Sequence, residues 1–279
     1  MYDCAIGHPP GKYNGVYIFN ADRSRFTGSG YDWRTVPVDT GAPLTEDYNV
    51  IENNLPNPAV ADLDGDGKKE ILYASYDGRV HAFWLDKIKR GTWPYSVYSA
   101  PESVYRFASE PVIADLDNDG RAEVIFTSWA KKGTNKTGKL HILNWLGMRL
   151  HEVALPLAFG GANWNGALAA PTLANIDSDP DLEVVLNTAH SGFVAYDLPG
   201  TANARVLWRT GRGNFHRTGT AVPGPLPVVS IAATDARATE PGTDSGLIVL
   251  TRTGSTAAPL IVKVALTGGA TNGVDYRRL

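Results

Sequence analysis

The chain has 279 residues, 20% of them charged and 43% hydrophobic, with a formal net charge of −3. That supplies ample apolar material for one large domain or two ordinary ones, and without a dense Lys/Arg run it argues against a nucleic-acid surface. The single cysteine, Cys4, excludes an intramolecular disulfide framework, and no run of about 18 apolar residues offers a membrane span. No basic start followed by an apolar stretch marks a signal peptide. Two readings follow: a cytosolic protein, or a segment whose true N-terminus lies upstream.

Residues 1–50 predict one clear strand, GVYIFNAD from Gly15 to Asp22, then a polar turn and DWRTVPV around Trp33. GVYIFN at 15–20 corresponds to RVHAFW at 79–84, KLHILN at 139–144 and GFVAYD at 192–197. The opening segment therefore matches the second half of a repeat.

The stretch that organises the chain runs from Pro58 to Leu72, PAVADLDGDGKKEIL. Asp62, Asp64 and Asp66 alternate, Gly67 follows, and Glu70 precedes a second apolar run. Carboxylates crowded into one tight turn repel one another and call for a counter-ion. A hard cation such as Ca²⁺ takes several oxygen ligands of this kind, and the glycine permits the positive φ that brings later ligands round. Glu70 stands ninth rather than twelfth in the loop, which excludes an ordinary EF-hand. Turn chemistry alone can produce one such cluster. Here it recurs: Asp115, Asp117, Asp119, Gly120 and Glu123 stand 53 positions on (115 − 62), and Asn175, Asp177, Asp179 and Glu183 another 60 (175 − 115). Recurrence at fixed internal spacing makes this a repeat protein with an acidic loop in each repeat.

Each repeat reads in one order. A short strand (Pro58–Ala61, Pro111–Ala114, Pro171–Ala174) enters the loop, and a longer one leaves it (Ile71–Ser75, Val124–Ser128, Val184–Thr188). A glycine turn, a third strand and a variable, often tryptophan-bearing segment complete the unit. Nothing holds a 3.6-residue apolar period. Four strands per roughly 40–60 residues predict an all-β fold of β-propeller blades, about three complete and one partial. His81 and His141 fall at equivalent points of the third strand and read as solvent-side residues. Trp84, Trp93, Trp129, Trp145, Trp164 and Trp208 read as packing between blades, and Asn135-Lys136-Thr137 is a weak glycosylation sequon. PGPLP (Pro223 to Pro227) reads as a boundary, placing one domain at 1–222 and another at 223–279. Strands are expected beyond it at Val228–Thr234, Gly246–Arg252 and Leu260–Leu266.

The loops ADLDGDGKKEIL and ADLDNDGRAEVIF resemble the FG-GAP (VCBS-type) repeats of integrin alpha subunits and many bacterial surface proteins, over residues 57–222. That resemblance implies a calcium-bearing β-propeller with Asp62, Asp64, Asp66 and Glu70 as ligands in one blade and Asp115, Asp117, Asp119 and Glu123 in the next. The third loop departs from the pattern. Asn175 removes a charge, and Pro180 replaces the glycine, so Asp177, Asp179 and Glu183 are expected to form the weakest site. WRTGRGNFHRTG is similar to a Trp…Arg…Arg signature found beside such repeats in secreted bacterial proteins, with no chemistry attached to it. The tail looks like the first half of a Calx-beta domain, an Ig-like calcium-binding sandwich. Glu240 and Asp275 match that family's early calcium positions, for which calcium here is weakly indicated. A seven-strand sandwich takes about 100 residues, and 52 follow Pro227 (279 − 227).

These readings favour a calcium-binding extracellular or cell-surface module for adhesion or ligand binding. Its Ca²⁺ would be structural, its partner a protein or carbohydrate, and further domains would belong to the same longer chain. The alternative is the propeller part of a secreted polysaccharide-acting enzyme. No Ser-His-Asp order, HExxH or nucleophile elbow supports catalysis. An intracellular scaffold suits the missing signal peptide but not the calcium loops. Both ends breaking inside a structural unit leads to the expectation of a fragment of a longer protein.

Overall fold

The computed structural model describes residues 13–28, 30–34, 38–40, 57–75, 78–97, 105–130, 133–220, 228–237 and 246–253, with Val262, Val264 and Gly269. Every regular element among them is a β-strand, and no helix is long and apolar enough to cross a membrane. The chain divides into two compact units, Met1–Val222 and Pro223–Leu279.

The first unit opens with four short strands, β1 (Tyr13–Gly15), β2 (Thr27–Gly28), β3 (Tyr31–Asp32) and β4 (Val38–Thr40). β1 pairs with β4 and β2 with β3, both antiparallel. The strand expected from Gly15 to Asp22 is not continuous: beyond Gly15 only Phe19 makes a bridge, to Arg25. A third strand needs a second strand beside it, and among the described residues none stands there. Tyr17 and Phe19 stay about half exposed and stack under the Arg25 guanidinium instead.

The next repeat is regular. β5 (Ala59–Ala61), β6 (Glu70–Ala74), β7 (Arg79–Phe83) and β8 (Tyr95–Ser96) form a four-stranded antiparallel sheet in chain order. β9 (Tyr105–Ala108) leads into the following sheet, built from β10 (Val112–Asp115), β11 (Glu123–Ala130), β13 (Lys139–Leu143) and β14 (Arg149–Ala154). Two-residue β12 (Lys136–Thr137) lies parallel to β15 (Trp164–Asn165). The last repeat supplies β16 (Thr172–Ala174), β17 (Leu182–Thr188) and β18 (Gly192–Leu198), again in order.

The hydrophobic cores lie between successive sheets, and strand alternation explains how. On β10, Ile113 faces the 59–96 sheet while Val112 and Ala114 face the 172–198 sheet. On β11, Val124 and Phe126 take the first side and Ile125 the second. Side chains alternate between faces along a strand, so a sheet covered on both sides needs an uninterrupted apolar run, as VIA (112–114) and VIF (124–126) supply. Such burial contributes about 1.5–3 kcal/mol per large side chain. The same double coverage corrects the histidines. His81 and His141 are buried, not solvent-facing. His81 packs against both Tyr73 and Phe83, and His141 lies on Phe126 with Nε2 3.1 Å from Ser128 Oγ. Burial pulls the His141 imidazole down to about 4, so it is neutral near pH 7.

Two tryptophans link one repeat to the next in the same way. Trp33 Nε1 donates to the Leu85 carbonyl and Trp93 Nε1 to the Trp145 carbonyl, each at 2.9 Å. The last repeat breaks the pattern of four strands to a sheet. β19 (Arg205–Trp208) does not return to the edge of β18 but pairs antiparallel with β10 of the preceding repeat. Leu173 N–H also donates to the Arg209 carbonyl, so the segment is gripped on both sides. Trp208 explains the excursion: its indole is 2% exposed and joins the core of the 59–96 sheet.

Adjacent acidic loops touch. Ala122 N–H donates to the Leu63 carbonyl at 2.9 Å, and a Cβ on Gly65 would sit 2.6 Å from the Gly120 carbonyl oxygen. Gly65 and Gly67 share a left-handed backbone, φ 78° and 84°, but Gly67 faces open space. Gly67→Ala should therefore show the left-handed cost alone, about 1–2 kcal/mol. Gly65→Ala should cost more, because backbone must also move. Denaturant midpoints read the difference, and equal costs would mean the loops separate freely.

In the second unit, β20 (Val228–Asp235) and β21 (Leu247–Thr253) form one antiparallel ladder whose described side chains are exposed except at Val229 and Arg252, which are half-buried. Most of the expected strand at 260–266, and both Glu240 and Asp275, lie outside the described residues. Val262 and Val264 are described and stand in no strand.

Candidate metal centres

Each acidic loop joins the first strand of a repeat to its second, and one device shapes all three. The glutamate that begins or follows the start of the second strand turns back under the loop. Its Oε2 accepts the N–H seven residues earlier: Leu63 to Glu70 at 2.7 Å, Leu116 to Glu123 at 2.8 Å, Ile176 to Glu183 at 2.7 Å. All three glutamates are buried. The second and third aspartates of each loop accept the N–H two residues on, as in Asp117 with Asp119 (3.2 Å) and Asp119 with Arg121 (2.7 Å). These Asx turns wind the backbone so that successive carboxylates converge.

The convergence is close. Ligand oxygens of Asp62, Asp64 and Asp66 lie within 4.8 Å of one another, as do those of Asp115, Asp117 and Glu123, and of Asp177, Asp179 and Glu183. Glu70 sits beneath the first trio, and Asp119 lies outside the second, exposed. These clusters can hold a metal ion. Their electrostatics fit one: burial pushes the Glu70 carboxyl up to about 8 and Glu123 up to about 7, with the neighbouring aspartates adding to the rise. Asp115 Oδ1 and Glu183 Oε1 are buried with no hydrogen-bond partner. A buried carboxylate oxygen without a donor is costly, and a cation is the natural partner for it.

The first two loops share a backbone that the third cannot adopt. Gly65 and Gly67 in one and Asn118 and Gly120 in the other have positive φ; Ser178 and Pro180 do not. Gly67 and Gly120 also donate their N–H to the first aspartate of the loop, Asp62 and Asp115, at 3.0 Å each. Proline has no N–H to give. At the equivalent position Asn175 reverses the bond, its amide donating to the Asp179 carbonyl. The changes Asp to Asn and Gly to Pro are thus one coupled change, and Asn175 is spent on holding the turn.

Three neighbouring groups were not legible as parts of the site. Arg205 comes from β19 to stand 3.5 Å from Asp115 Oδ2, because β19 pairs with β10. Trp84 Nε1 donates to Asp64 Oδ2 at 3.0 Å. Asp181 and Asp197 form a further acidic group with Asp179, brought together by the pairing of β17 and β18. Only the last had a local signal, the extra aspartate in DSDPD.

Residues 62–126, spanning the first two loops, match the model of the FG-GAP-like repeat. No curated protein matches the chain. Among solved structures it is similar to the Bacillus licheniformis rhamnogalacturonan lyase PL11, at 18% identity and a TM-score of 0.37. That similarity covers 81% of this chain and 42% of the lyase, so the chain spans less than half of that structure.

Proposed function

We propose that the first unit is a β-propeller-type module that works outside the cell in adhesion or ligand binding, with Ca²⁺ in its acidic loops as a structural ion. The observation that carries this reading is Asp115, wholly buried, with Oδ1 unpartnered among Asp117 and Glu123. Successive antiparallel sheets in chain order, packed face to face, support the blade reading. Ca²⁺ accepts irregular arrays of carboxylate and carbonyl oxygens, and extracellular modules bind it with Kd of about 10⁻⁴–10⁻³ M. Millimolar calcium outside a cell fills such sites; the cytosol would leave them empty. The module is read as non-catalytic, because its clustered carboxylates are committed to shaping loops. The second unit is read as Calx-beta-like, on its β20–β21 ladder and the residues that resemble that family.

Calorimetric titration of the chelator-treated chain with Ca²⁺ tests the metal assignment, and the absence of saturable binding overturns it. The loops should differ in strength. Asp177→Ala should cost less total calcium affinity than Asp117→Ala, because the third loop has lost both a ligand charge and the left-handed turns. Equal losses would count against that ranking.

A further inference from the structure

The segment WRTGRGNFHRTG, left without a role by the metal loops, builds the second recognisable site. Asn57, Glu110 and Ala170 each stand five residues before the first position of an acidic loop (62 − 57, 115 − 110, 175 − 170). They mark the starts of β5, β10 and β16, the ends of these strands away from the loops. All three line one cleft of about 390 Å³, within the size range of small-molecule sites of about 300–1,000 Å³.

Glu110 organises its floor. The carboxylate is buried; Oε1 accepts Arg212 N–H at 2.7 Å and Trp208 Nε1–H at 3.4 Å, and Oε2 accepts from Asn57 Nδ2 at 3.2 Å. It thereby pins the loop after β19 over the starts of the first strands. Within that loop Arg212 and Arg217 both line the cleft and both hold a left-handed backbone, φ 62° and 54°. Such conformations cost a non-glycine residue about 1–2 kcal/mol, and strain of this kind gathers at functional sites. Among the described residues no carboxylate is paired with either guanidinium. Also lining the cleft, Phe193 on β18 is 81% exposed, and Thr172 and Thr210 share a hydroxyl hydrogen bond at 2.8 Å.

We propose that this cleft is a binding site for an acidic saccharide, a sugar ring carrying a carboxylate. The guanidiniums of Arg212 and Arg217 take the carboxylate, as paired donors do well. Phe193 offers a flat apolar surface to the face of the ring, and the threonine hydroxyls meet its hydroxyl groups. The proposal rests on the ligand-binding reading above and names the ligand class for it.

Calorimetry on the full chain in calcium tests it with a galacturonic-acid trimer, a neutral galactose trimer, an aspartate-rich peptide and inorganic phosphate. The uronate trimer should bind, with the neutral trimer about tenfold weaker or more. Arg212→Gly and Arg217→Gly should each weaken the acidic trimer by a similar factor without lowering the melting temperature, since glycine accepts the left-handed backbone. Phe193→Ala should weaken it severalfold. No binding of the uronate trimer, equal binding of the neutral one, or wild-type affinity in both glycine variants overturns the proposal. Phosphate or peptide binding as tightly as the trimer replaces the saccharide with a plain anion and overturns it too. Calcium-dependent melting is a separate readout: a calcium shift without uronate binding sinks the cleft alone, and the converse sinks the metal reading alone.

Discussion

Saturating Ca²⁺ should raise the melting temperature of the chelated chain by about 5–10 °C for each filled site. A ligand that binds only the folded state stabilises it by RT ln(1 + [L]/Kd), about 2.7 kcal/mol at a hundredfold excess over Kd. For a domain of this size each kcal/mol moves the midpoint by about 2–4 °C. The physical source is the crowding described above. Without a cation, Asp115 Oδ1 stays buried and unpartnered, and Glu70 and Glu123 sit desolvated beneath neighbouring aspartates. Asp64→Ala and Asp117→Ala should each shrink the gap between calcium and chelator while leaving a remainder from the other loop. Melting curves of the wild-type chain that superimpose in calcium and in chelator would end the structural-metal reading.

The second large effect should come from Trp208→Ala, at about 3–5 kcal/mol, the usual cost of emptying a large core site. Three losses coincide there. The core between the sheets acquires a cavity, Glu110 Oε1 loses one of its two donors, and β19 loses the anchor that holds it to β10. Trp208→Phe should recover most of the packing and forfeit only the indole bond, about 1 kcal/mol. Hydrogen exchange would add a local signature in the alanine variant, with faster exchange along β19 and the facing edge of β10. A Trp208→Ala chain within 1 kcal/mol of wild type by denaturant unfolding would show that the crossing strand is not structural.

The two predictions also mark the boundary between what the residues dictate locally and what the assembled fold decides. The acidic loops belong to the first kind. Alternating aspartates make Asx turns wherever they occur, Gly67 and Gly120 allow the left-handed step, and the glutamate returns under its own loop seven residues back. Every one of those contacts is closed within nine residues, so the sequence alone determined the loops, the strands flanking them and the repeat order. It also carried the anomaly of the third loop, since a proline without an N–H has the same consequence in any fold.

Contacts between distant segments were decided only in three dimensions. His81 and His141 alternate as if they faced solvent, but a sheet covered on both faces has no solvent side, and coverage depends on the neighbouring repeats. GVYIFN reads like its copies at 79–84 and 139–144, yet beyond Gly15 it makes only the bridge of Phe19 to Arg25 among the described residues and does not pair as they do. β19 has the composition of an ordinary fourth strand; its place beside β10 comes from the site that Trp208 fills, and with it Arg205 reaches Asp115. Glu110, Phe193, Arg212 and Arg217 are scattered over 108 positions (217 − 110 + 1), and only the two arginines share a motif, WRTGRGNFHRTG. Period and spacing report what a strand or turn does with its own neighbours, whereas a cleft forms where the ends of three repeats meet, and only packing brings those ends together.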